Sequence, residues 1–355
     1  MTVPIAIDVA PERGQLPETL VFGATYTDHM FSQRYRQEAG WHDARIGPLQ
    51  PLALHPAAAV LHYSQEIFEG LKAYRRADGG INLFRPDQNV ARFNRSARRM
   101  VMPEVDAALH LAALKQFVDL ERHWVPAAPG ASLYLRPTMI ATAPRLDLSA
   151  ATEFLHFIIA SPVGGYFGAG FQSVDVLVSD QCRRAVVGGV GEAKTGGNYA
   201  ASLYASDAAA RQGYQQVLWL DAREGRFIEE VGSMNICFVY ADGSIRTPAL
   251  TGSILPGITR DSLMQLAPRL GHSLEEAQLD IDEVLAGIDA GEITEVFGCG
   301  TSAVISPIGR LAFRGSEHVI GGGQPGPVAR RLYETLSGIQ YGSVEDPFGW
   351  VVRLD

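Results

Sequence analysis

The sequence predicts an α+β protein made of two domains. With 355 residues the chain is long for a single hydrophobic core. Helical and strand-like patterns do not alternate strictly in its first half, which favours α+β over βαβ organisation. Ser161 to Gly170 holds four glycines and a proline and is the best boundary. We therefore expect a small α+β domain at 1–161, a glycine-rich linker at 162–173 and a larger domain at 174–355.

The first half begins with turn-rich polar sequence and then becomes more regular. Residues 87–100 predict a helix, because Val90, Phe93 and Ala97 recur at a spacing that places them on one face. Asp78, Gly79 and Gly80 form a turn signal between two strand-like runs, which predicts a hairpin. The predicted elements of this half are a helix at 107–123 and strands at 67–75, 81–84, 131–139 and 153–161.

The second half predicts many short strands with fewer helices. Asp242-Gly243 follows one strand-like run and is a hairpin signal. A C-terminal helix is expected before an irregular tail. The predicted strands are 174–178, 216–220, 235–240 and 295–298, and the predicted helices are 200–211, 260–270 and 327–337.

Charge and composition exclude several classes of function. A net charge of -9 argues against nucleic acid as the main partner, because phosphate backbones need a basic face. Cys182, Cys237 and Cys299 lie far apart without a CxxC pair, so we expect buried or inert thiols and no metal site. No secretory signal and no apolar stretch of membrane-spanning length is found, and a cytoplasmic location is expected.

One lysine stands in an unusual glycine-rich stretch. Val187 to Tyr199 contains five glycines around Lys194. Glycines let the backbone approach other groups closely, so this lysine could face a pocket. A buried amine near other cations is more readily neutral, and a neutral amine condenses with aldehydes. An ordinary exposed loop lysine is the competing interpretation.

A damaged phosphate-binding loop is a third interpretation of the same stretch. Gly188 to Thr195 nearly fits G-x-x-x-x-G-K-[ST], with Ala193 in place of the second glycine. Val217 to Asp221 imitates a strand that ends in a magnesium-binding aspartate. Gly196-Gly197 should discourage the helix that this motif requires, and Asp221 follows Lys194 too soon. A nucleotide-binding protein therefore stays a distant alternative.

Six segments of the chain carry a pattern that recurs in known proteins. They are Phe22 to Met30, Tyr63 to Tyr74 with Leu83 to Pro86, Gly188 to Ala200, Glu229 to Asn235, Ile254 to Arg260 and Phe297 to Ala303. In this order they resemble the branched-chain amino acid aminotransferases, which belong to class IV of the pyridoxal-phosphate transaminases. The lysine segment is similar to the family's Schiff-base segment, and the other five resemble its N-terminal segment, its small-domain hairpin and its later cofactor segments.

The resemblance implies a cofactor, pyridoxal 5′-phosphate, and a role for each matching residue. Lys194 resembles the catalytic Schiff-base lysine, which also moves a proton as general base and acid. Glu230 matches the carboxylate at the pyridine nitrogen, and Arg92 matches the phosphate arginine. The amide groups at a helix N-terminus would add to the phosphate site. The implied cofactor-binding set is Arg92, Lys194, Tyr199, Glu230, Ile258, Thr259 and Thr301.

The resemblance also implies an apolar substrate pocket with a carboxylate anchor. Tyr134 and Arg136 lie two apart on a predicted strand, so both should point to one face. Ala303 and Ser306 stand where some relatives carry a redox CxxC, so no thiol switch is expected there. Ser233 replaces a common threonine, and Cys299 sits inside a glycine segment. The implied pocket residues are Phe22, Tyr63, Phe68, Tyr134, Arg136, Tyr166, Tyr199, Ser233, Thr301 and Ser302.

The resemblance implies a two-domain class IV fold whose larger domain is built around a β-barrel-like core. It also implies a ping-pong transaminase that moves the amino group of L-leucine, L-isoleucine or L-valine to 2-oxoglutarate. A homodimer with amino acids and 2-oxo acids as its small-molecule partners is expected. Two alternatives stay open: a class IV enzyme for D-amino acids, amines or a specialised substrate, and a non-catalytic binding protein with the same fold.

Overall fold

The computed structural model describes residues 4–165 and 170–355. They form two compact units. Unit 1 comprises the described part of Met1–Tyr166 together with Ala193–Gly196 and Gly338–Asp355. Unit 2 comprises the described part of Phe167–Glu192 together with Gly197–Ser337. Within the described residues, no helix combines the length and the apolar character needed to cross a bilayer.

The elements run in chain order as follows. The strands are β1 (Ala6–Ile7), β2 (His29–Arg36), β3 (Gly40–Pro48), β4 (Glu66–Phe68), β5 (Leu71–Arg75), β6 (Ile81–Phe84), β7 (Ser132–Ala141), β8 (Glu153–Val163), β9 (Val174–Val178), β10 (Gln216–Leu220), β11 (Ile228–Val231), β12 (Asn235–Tyr240), β13 (Ile245–Pro248), β14 (Leu274–Ala277), β15 (Ile293–Gly300), β16 (Val304–Phe313), β17 (Ser316–Val319) and β18 (Val351–Leu354). The helices are α1 (Ala59–Tyr63), α2 (Pro86–Arg99), α3 (Ala107–Leu120), α4 (Gly196–Arg211), α5 (Ile258–Arg269), α6 (Ile281–Asp289) and α7 (Pro327–Tyr341), with short 3-10 turns at Arg122–Trp124 and Gly321–Gly323.

Unit 1 is built on one nine-stranded sheet. Its strands follow the order β1-β3-β2-β8-β7-β5-β6-β18, and β4 pairs with β7. All pairs are antiparallel except β1 with β3. Phe31, Leu83 and Leu133 of the sheet share a buried core with Leu114 and Phe117 of α3. This core explains why the predicted strands and helices of the first half form.

Helix α2 shows why particular side chains of unit 1 become buried. Pro86 opens the helix, and Arg98 and Arg99 complement the helix dipole in its last turn. Its buried face carries Arg92 and Ser96, which belong to the side where the helix packs. The helix period thus places both polar side chains on the face that packs inside the unit.

Unit 2 contains a second nine-stranded sheet with the β-barrel-like character expected from the sequence. The order is β11-β10-β9-β16-β15-β12-β13-β14, and β17 pairs with β16. A bridge between Phe227 and Asp280, with the Ile228 N–H donating to the Leu279 carbonyl at 2.9 Å, joins the two ends of this order. Apolar side chains including Leu218, Phe238 and Leu311 fill the enclosed core.

The prediction of an irregular tail after the last helix is wrong, because β18 forms there. Val351 to Leu354 pair antiparallel with Phe84 to Ile81 of β6. This pairing joins segments about 270 residues apart, which no local pattern reveals. It also places 338–355 in unit 1, whereas the sequence assigned them to the larger domain. Of the expected linker, 162–163 belong to β8, and 166–169 lie outside the described residues.

The start of α4 is a second difference from expectation. Gly196-Gly197 was expected to discourage a helix, yet α4 begins at Gly196. The glycine at this position has a packing reason, since a Cβ there would lie 2.4 Å from Glu66 Oε1. The Gly196 N–H also donates to that carboxylate. Close packing therefore outweighs the low helix propensity of glycine.

Candidate active site

The backbone of Lys194 is fixed to β4 and α2 inside unit 1. The Lys194 N–H donates to Ser96 Oγ at 3.0 Å, and the Phe68 N–H donates to the Lys194 carbonyl at 3.0 Å. The Thr195 hydroxyl donates to the Glu66 carbonyl at 2.7 Å. These three bonds fix the backbone at Lys194 and Thr195, whereas the competing interpretation is an ordinary exposed loop lysine.

The Lys194 side chain lies within a cluster of aromatic and basic groups. Its Nζ is 4.9 Å from the centre of the Phe68 ring, and Arg136 Cζ is 4.8 Å from the same ring. Arg136 Nη2 also lies 3.4 Å from the Tyr134 hydroxyl, so both side chains share one face of β7, as the sequence predicts. Lys194 is half-buried. Lys194 and Arg136 thus both contact the ring of Phe68.

The remaining predicted pocket residues of unit 1 differ in their surroundings. The Phe22 ring centre lies 5.0 Å from that of Tyr134. Gly70 makes room for Tyr134, since a Cβ there would lie 1.9 Å from the tyrosine hydroxyl. Tyr63 ends α1, is 40% exposed and donates to the Leu146 carbonyl. Tyr166 lies outside the described residues.

Arg92 is buried against a carboxylate that sequence reasoning did not identify. Its Nε donates to Glu69 Oε1 at 2.7 Å and its Nη2 to Glu69 Oε2 at 2.9 Å. Asn89 Nδ2 adds a bond of 2.7 Å to Oε2. Burial alone would raise the pKa of Glu69, but the charge and hydrogen bonds of Arg92 outweigh it and lower the pKa.

Glu230 occupies a buried polar site in unit 2. Its side chain leaves β11 with 3% of the residue exposed. Oε1 accepts from the Leu255 N–H at 2.8 Å, and Oε2 lies 3.2 Å from Arg184 Nε. Arg184 Nη2 donates to the Ser253 carbonyl at 2.6 Å, which fixes the arginine. A buried carboxylate stabilised in this way can keep its negative charge.

The N-terminus of α5 is a second polar site in unit 2. Gly257 caps α5, and Asn235 explains this glycine because a Cβ would lie 2.0 Å from Asn235 Oδ1. Ile258 and the buried Thr259 begin α5, where backbone N–H groups and the helix dipole favour an anion. The sequence predicts both as phosphate contacts.

Four other predicted residues of unit 2 lie on α4 and in turns. Tyr199 is on α4 and is half-buried. Ser233 is exposed in the turn between β11 and β12. Thr301 and Ser302 lie in the turn that joins β15 to β16, where Thr301 is half-buried and Ser302 exposed. Their local positions suit ligand contact, since turn residues present both hydroxyl and backbone N–H groups.

The nucleotide-binding alternative finds no support at Asp221. Its carboxylate accepts backbone N–H groups from four residues of the following turn, at 2.7 to 3.0 Å. Burial would raise the pKa of Asp221, but these N–H bonds together lower it. The side chain therefore acts as a turn cap in this structure.

Sequence reasoning missed the partners of the predicted charged residues. Arg184 precedes Lys194 by ten positions and Glu69 precedes Arg92 by 23, without a spacing that links them. Glu69 and Asn89 meet only because β4, β5 and α2 pack together. The single local signal was that Glu69 stands beside Gly70 in a segment already matched to a family.

Comparisons with known proteins show which family this chain resembles. The profile of the family described as "Amino-transferase class IV" matches residues 66–311. The chain is 51% identical over 339 residues to branched-chain-amino-acid transaminase 1 of Bacillus subtilis, covering 95% of each. The Escherichia coli branched-chain amino acid aminotransferase is 28% identical, with a TM-score of 0.74 over 91% of this chain and 98% of that one.

A third comparison concerns a structure with its cofactor. The branched-chain amino acid aminotransferase of Thermobaculum terrenum, solved in its pyridoxal-phosphate form, is 25% identical with a TM-score of 0.75. The match covers 92% of this chain and 98% of that one. Sequence and fold thus agree over nearly the whole length of the relatives. The chain belongs to the class IV aminotransferase family.

Proposed function

We propose that this protein is a pyridoxal-phosphate-dependent transaminase that transfers the amino group of L-leucine, L-isoleucine or L-valine to 2-oxoglutarate. The observation that carries the proposal is the 51% identity to a branched-chain-amino-acid transaminase along 95% of both chains. The Lys194, Glu230 and Arg92 set supports it, because it supplies an amine, a ring carboxylate and a phosphate cation.

The residues present fit pyridoxal 5′-phosphate. Lys194 offers an amine whose backbone makes two hydrogen bonds and whose Nζ lies 4.9 Å from the centre of the Phe68 ring. Glu230 offers a buried carboxylate. When bound, the cofactor supplies an electron-withdrawing ring that stabilises negative charge at the substrate α-carbon. We assign Arg92, Ile258, Thr259, Thr301 and Tyr199 to its remaining contacts.

Lys194 carries the proposed catalytic role. Its Nζ would hold the cofactor through the aldehyde, and the same amine would take the α-proton of the substrate as general base and return a proton as general acid. Arg136 and the Phe68 ring orient the amine. Glu230 would face the pyridine nitrogen of the cofactor, where a negative charge would favour the protonated ring.

The substrate pocket is assigned to the aromatic residues predicted from the sequence. Tyr134, Phe68 and Phe22 form a contiguous aromatic cluster with Arg136, which supports this assignment in unit 1. Apolar walls favour branched aliphatic side chains by about 0.8 kcal/mol for each buried methylene group. The other proposed members are Tyr63, Tyr166, Tyr199, Ser233, Thr301 and Ser302.

Cellular location, oligomeric state and domain assignment complete the proposal. We assign the enzyme to the cytoplasm as a homodimer, in which both copies are needed for full activity. Residues 174–355 are proposed as the cofactor-binding domain for Glu230 and the start of α5, although Lys194 itself lies in unit 1. Size measurement of the holoenzyme by light scattering tests the dimer, and a monomeric mass with full activity would contradict it.

A spectrum of the purified protein tests the function. L-leucine should convert the visible cofactor band to that of the aminated cofactor, and 2-oxoglutarate should restore it. Lys194→Ala should abolish turnover, whereas Lys115→Ala, which changes an exposed residue of α3, should retain it. Turnover of D-alanine with none of L-leucine would overturn the substrate assignment while leaving the family unchanged.

Lysine mapping tests the nucleophile separately. The sequence has three lysines, Lys72, Lys115 and Lys194, so borohydride reduction followed by peptide mapping gives an unambiguous result. Lys72 is the most informative rival, because burial lowers its pKa to about 8 and makes its amine partly neutral. We expect the label on Lys194, and a label on Lys72 would refute the assignment.

A further inference from the structure

A cluster of acidic and histidine side chains lies in unit 1 outside the proposed active-site residues. Asp28, Glu121 and His123 each offer one ligand atom, and these three atoms all lie within 4.8 Å of one another. Asp28 directly precedes β2, while Glu121 and His123 follow the end of α3. No local sequence pattern predicts a metal here, because positions 28 and 121 are 93 residues apart.

The buried carboxylate of Glu121 is only half satisfied. Glu121 is 0% exposed. Its Oε1 accepts from the His29 backbone N–H at 2.9 Å and contacts His29 Nδ1. Among the described residues, no group donates a hydrogen bond to its Oε2. A buried carboxylate oxygen without a donor is costly, so this atom points to a missing positive partner.

The neighbouring histidine contacts only the other oxygen of Glu121. The Ala10 N–H donates to His29 Nε2 at 2.7 Å, and His29 Nδ1 faces Glu121 Oε1. The ring therefore makes no hydrogen bond to Oε2. Within the described chain, the salt-bridge contacts of Asp28 and Glu121 are with histidines and with neither lysine nor arginine.

The geometry of Asp28 suits a ligand held in place by other bonds. Its Oδ1 accepts from the Gly14 N–H at 2.8 Å, and its Oδ2 accepts from Trp124 Nε1 at 2.9 Å. His123 Nε2 lies 3.1 Å from Oδ2. Two ligand atoms around a tetrahedral Zn²⁺ are separated by about 3.4 Å, given bonds of about 2.1 Å. The Asp28–His123 pair is therefore already near the required spacing.

We propose that Asp28, Glu121 and His123 form a site for one divalent transition-metal ion, with Zn²⁺ as the preferred ion. Two carboxylate oxygens and one imidazole nitrogen suit Zn²⁺, whereas Mg²⁺ prefers an all-oxygen set. Water completes the coordination. The ion ties the end of α3 to β2 and, through the bonds of Gly14 and Ala10, to the N-terminal segment. Its role is to stabilise unit 1.

Metal titration of the holoenzyme tests the proposal. After dialysis against a chelator, Zn²⁺ should bind with one equivalent per chain in calorimetry, and Mg²⁺ should bind at least tenfold more weakly. Zn²⁺ at ten times its Kd should raise the unfolding midpoint by about 2 °C. Co²⁺ should give the visible spectrum of a four-coordinate ion.

Variants locate the ion. Glu121→Gln keeps an oxygen for the His29 N–H groups and should lower Zn²⁺ affinity at least tenfold, as should His123→Gln, which changes a partly exposed side chain. Asp43→Asn is the matched control, because Asp43 is an exposed acid whose Oδ2 lies 3.9 Å from His42 Nε2. Absence of Zn²⁺ binding, or equal affinity in all three variants, would overturn the proposal. Transaminase activity is not the readout, so failure of one proposal leaves the other intact.

Discussion

Each unit buries one glutamate against one arginine, and the two pairs differ in how the arginine meets the carboxylate. Both Glu69 oxygens accept from Arg92, at 2.7 and 2.9 Å, and Asn89 adds a third bond. Glu230 Oε2 lies 3.2 Å from Arg184 Nε, a nitrogen that makes no hydrogen bond within the described residues, and Glu230 Oε1 accepts from the Leu255 N–H. The bidentate pair suits a fixed part of the fold, whereas Glu230 is the carboxylate that we propose for the cofactor ring.

Removing the arginine of unit 1 should have the largest effect. Arg92→Met leaves the buried Glu69 without its cation and should lower the free energy of unfolding by about 3–5 kcal/mol. Urea unfolding of the cofactor-free protein measures this loss without a contribution from cofactor binding. Adding Glu69→Gln to Arg92→Met removes both charges and should recover more than half of the loss. Without that recovery, the loss in Arg92→Met would not come from the unpaired charge of Glu69.

Low pH should destabilise the part of unit 1 that surrounds the Glu69–Arg92 pair. His110 stacks on His156 with ring centres 4.8 Å apart, and burial lowers the pKa of His110 to about 4, although the charge of Glu69 opposes this. The unfolded chain then binds a proton that the folded chain refuses between pH 6.5 and 4. As the pH is lowered from 6.5 to 4, the free energy of unfolding should therefore decrease, by about 3 kcal/mol for this group.

The variant His110→Phe isolates this contribution, because it keeps an aromatic ring beside Phe93 without a titratable nitrogen. Its unfolding free energy, measured by urea at pH 7, 5 and 4, should fall less steeply than that of the original protein. Parallel pH profiles of the two proteins would show that His110 is not the acid-sensitive group.

The two pairs also show which parts of the structure were predictable from sequence. Residues 87–100 were predicted as a helix because their apolar period is local, and α2 runs over Pro86–Arg99. Lys194 and Glu230 were identified because each stands in a segment resembling a known family. Arg184 and Glu69 were missed, since their partners are fixed by tertiary packing.

Pairing between distant segments explains the missed strands as well. β2 and β3 lie in sequence judged turn-rich, and their side chains alternate poorly between buried and exposed. They form because β2 pairs with β8, whose residues follow more than a hundred positions later. β18 forms for the same reason on β6. Local periodicity carries no information about such partners.

Neutralising the carboxylate of unit 2 should affect rate and leave the fold intact. Glu230→Gln keeps the shape of the side chain and removes its charge, so we expect kcat to fall about 100-fold with retained cofactor, equal to about 2.7 kcal/mol in the barrier. Stopped-flow measurement of α-proton removal from L-leucine and its α-deuterated form gives the rate of the affected step. Unchanged rates would remove Glu230 from the mechanism.

Arg184 should have the smallest effect of the four, because it acts through Glu230. Arg184→Gln should lower kcat about tenfold with little change in KM, and Arg184→Lys should restore most of the rate by returning the charge. Glu230→Gln with Arg184→Gln should be no slower than Glu230→Gln alone, since the arginine then has no charge to support. Additive losses in this double variant would mean that Arg184 works independently, and the contrast with the locked pair of unit 1 would fail.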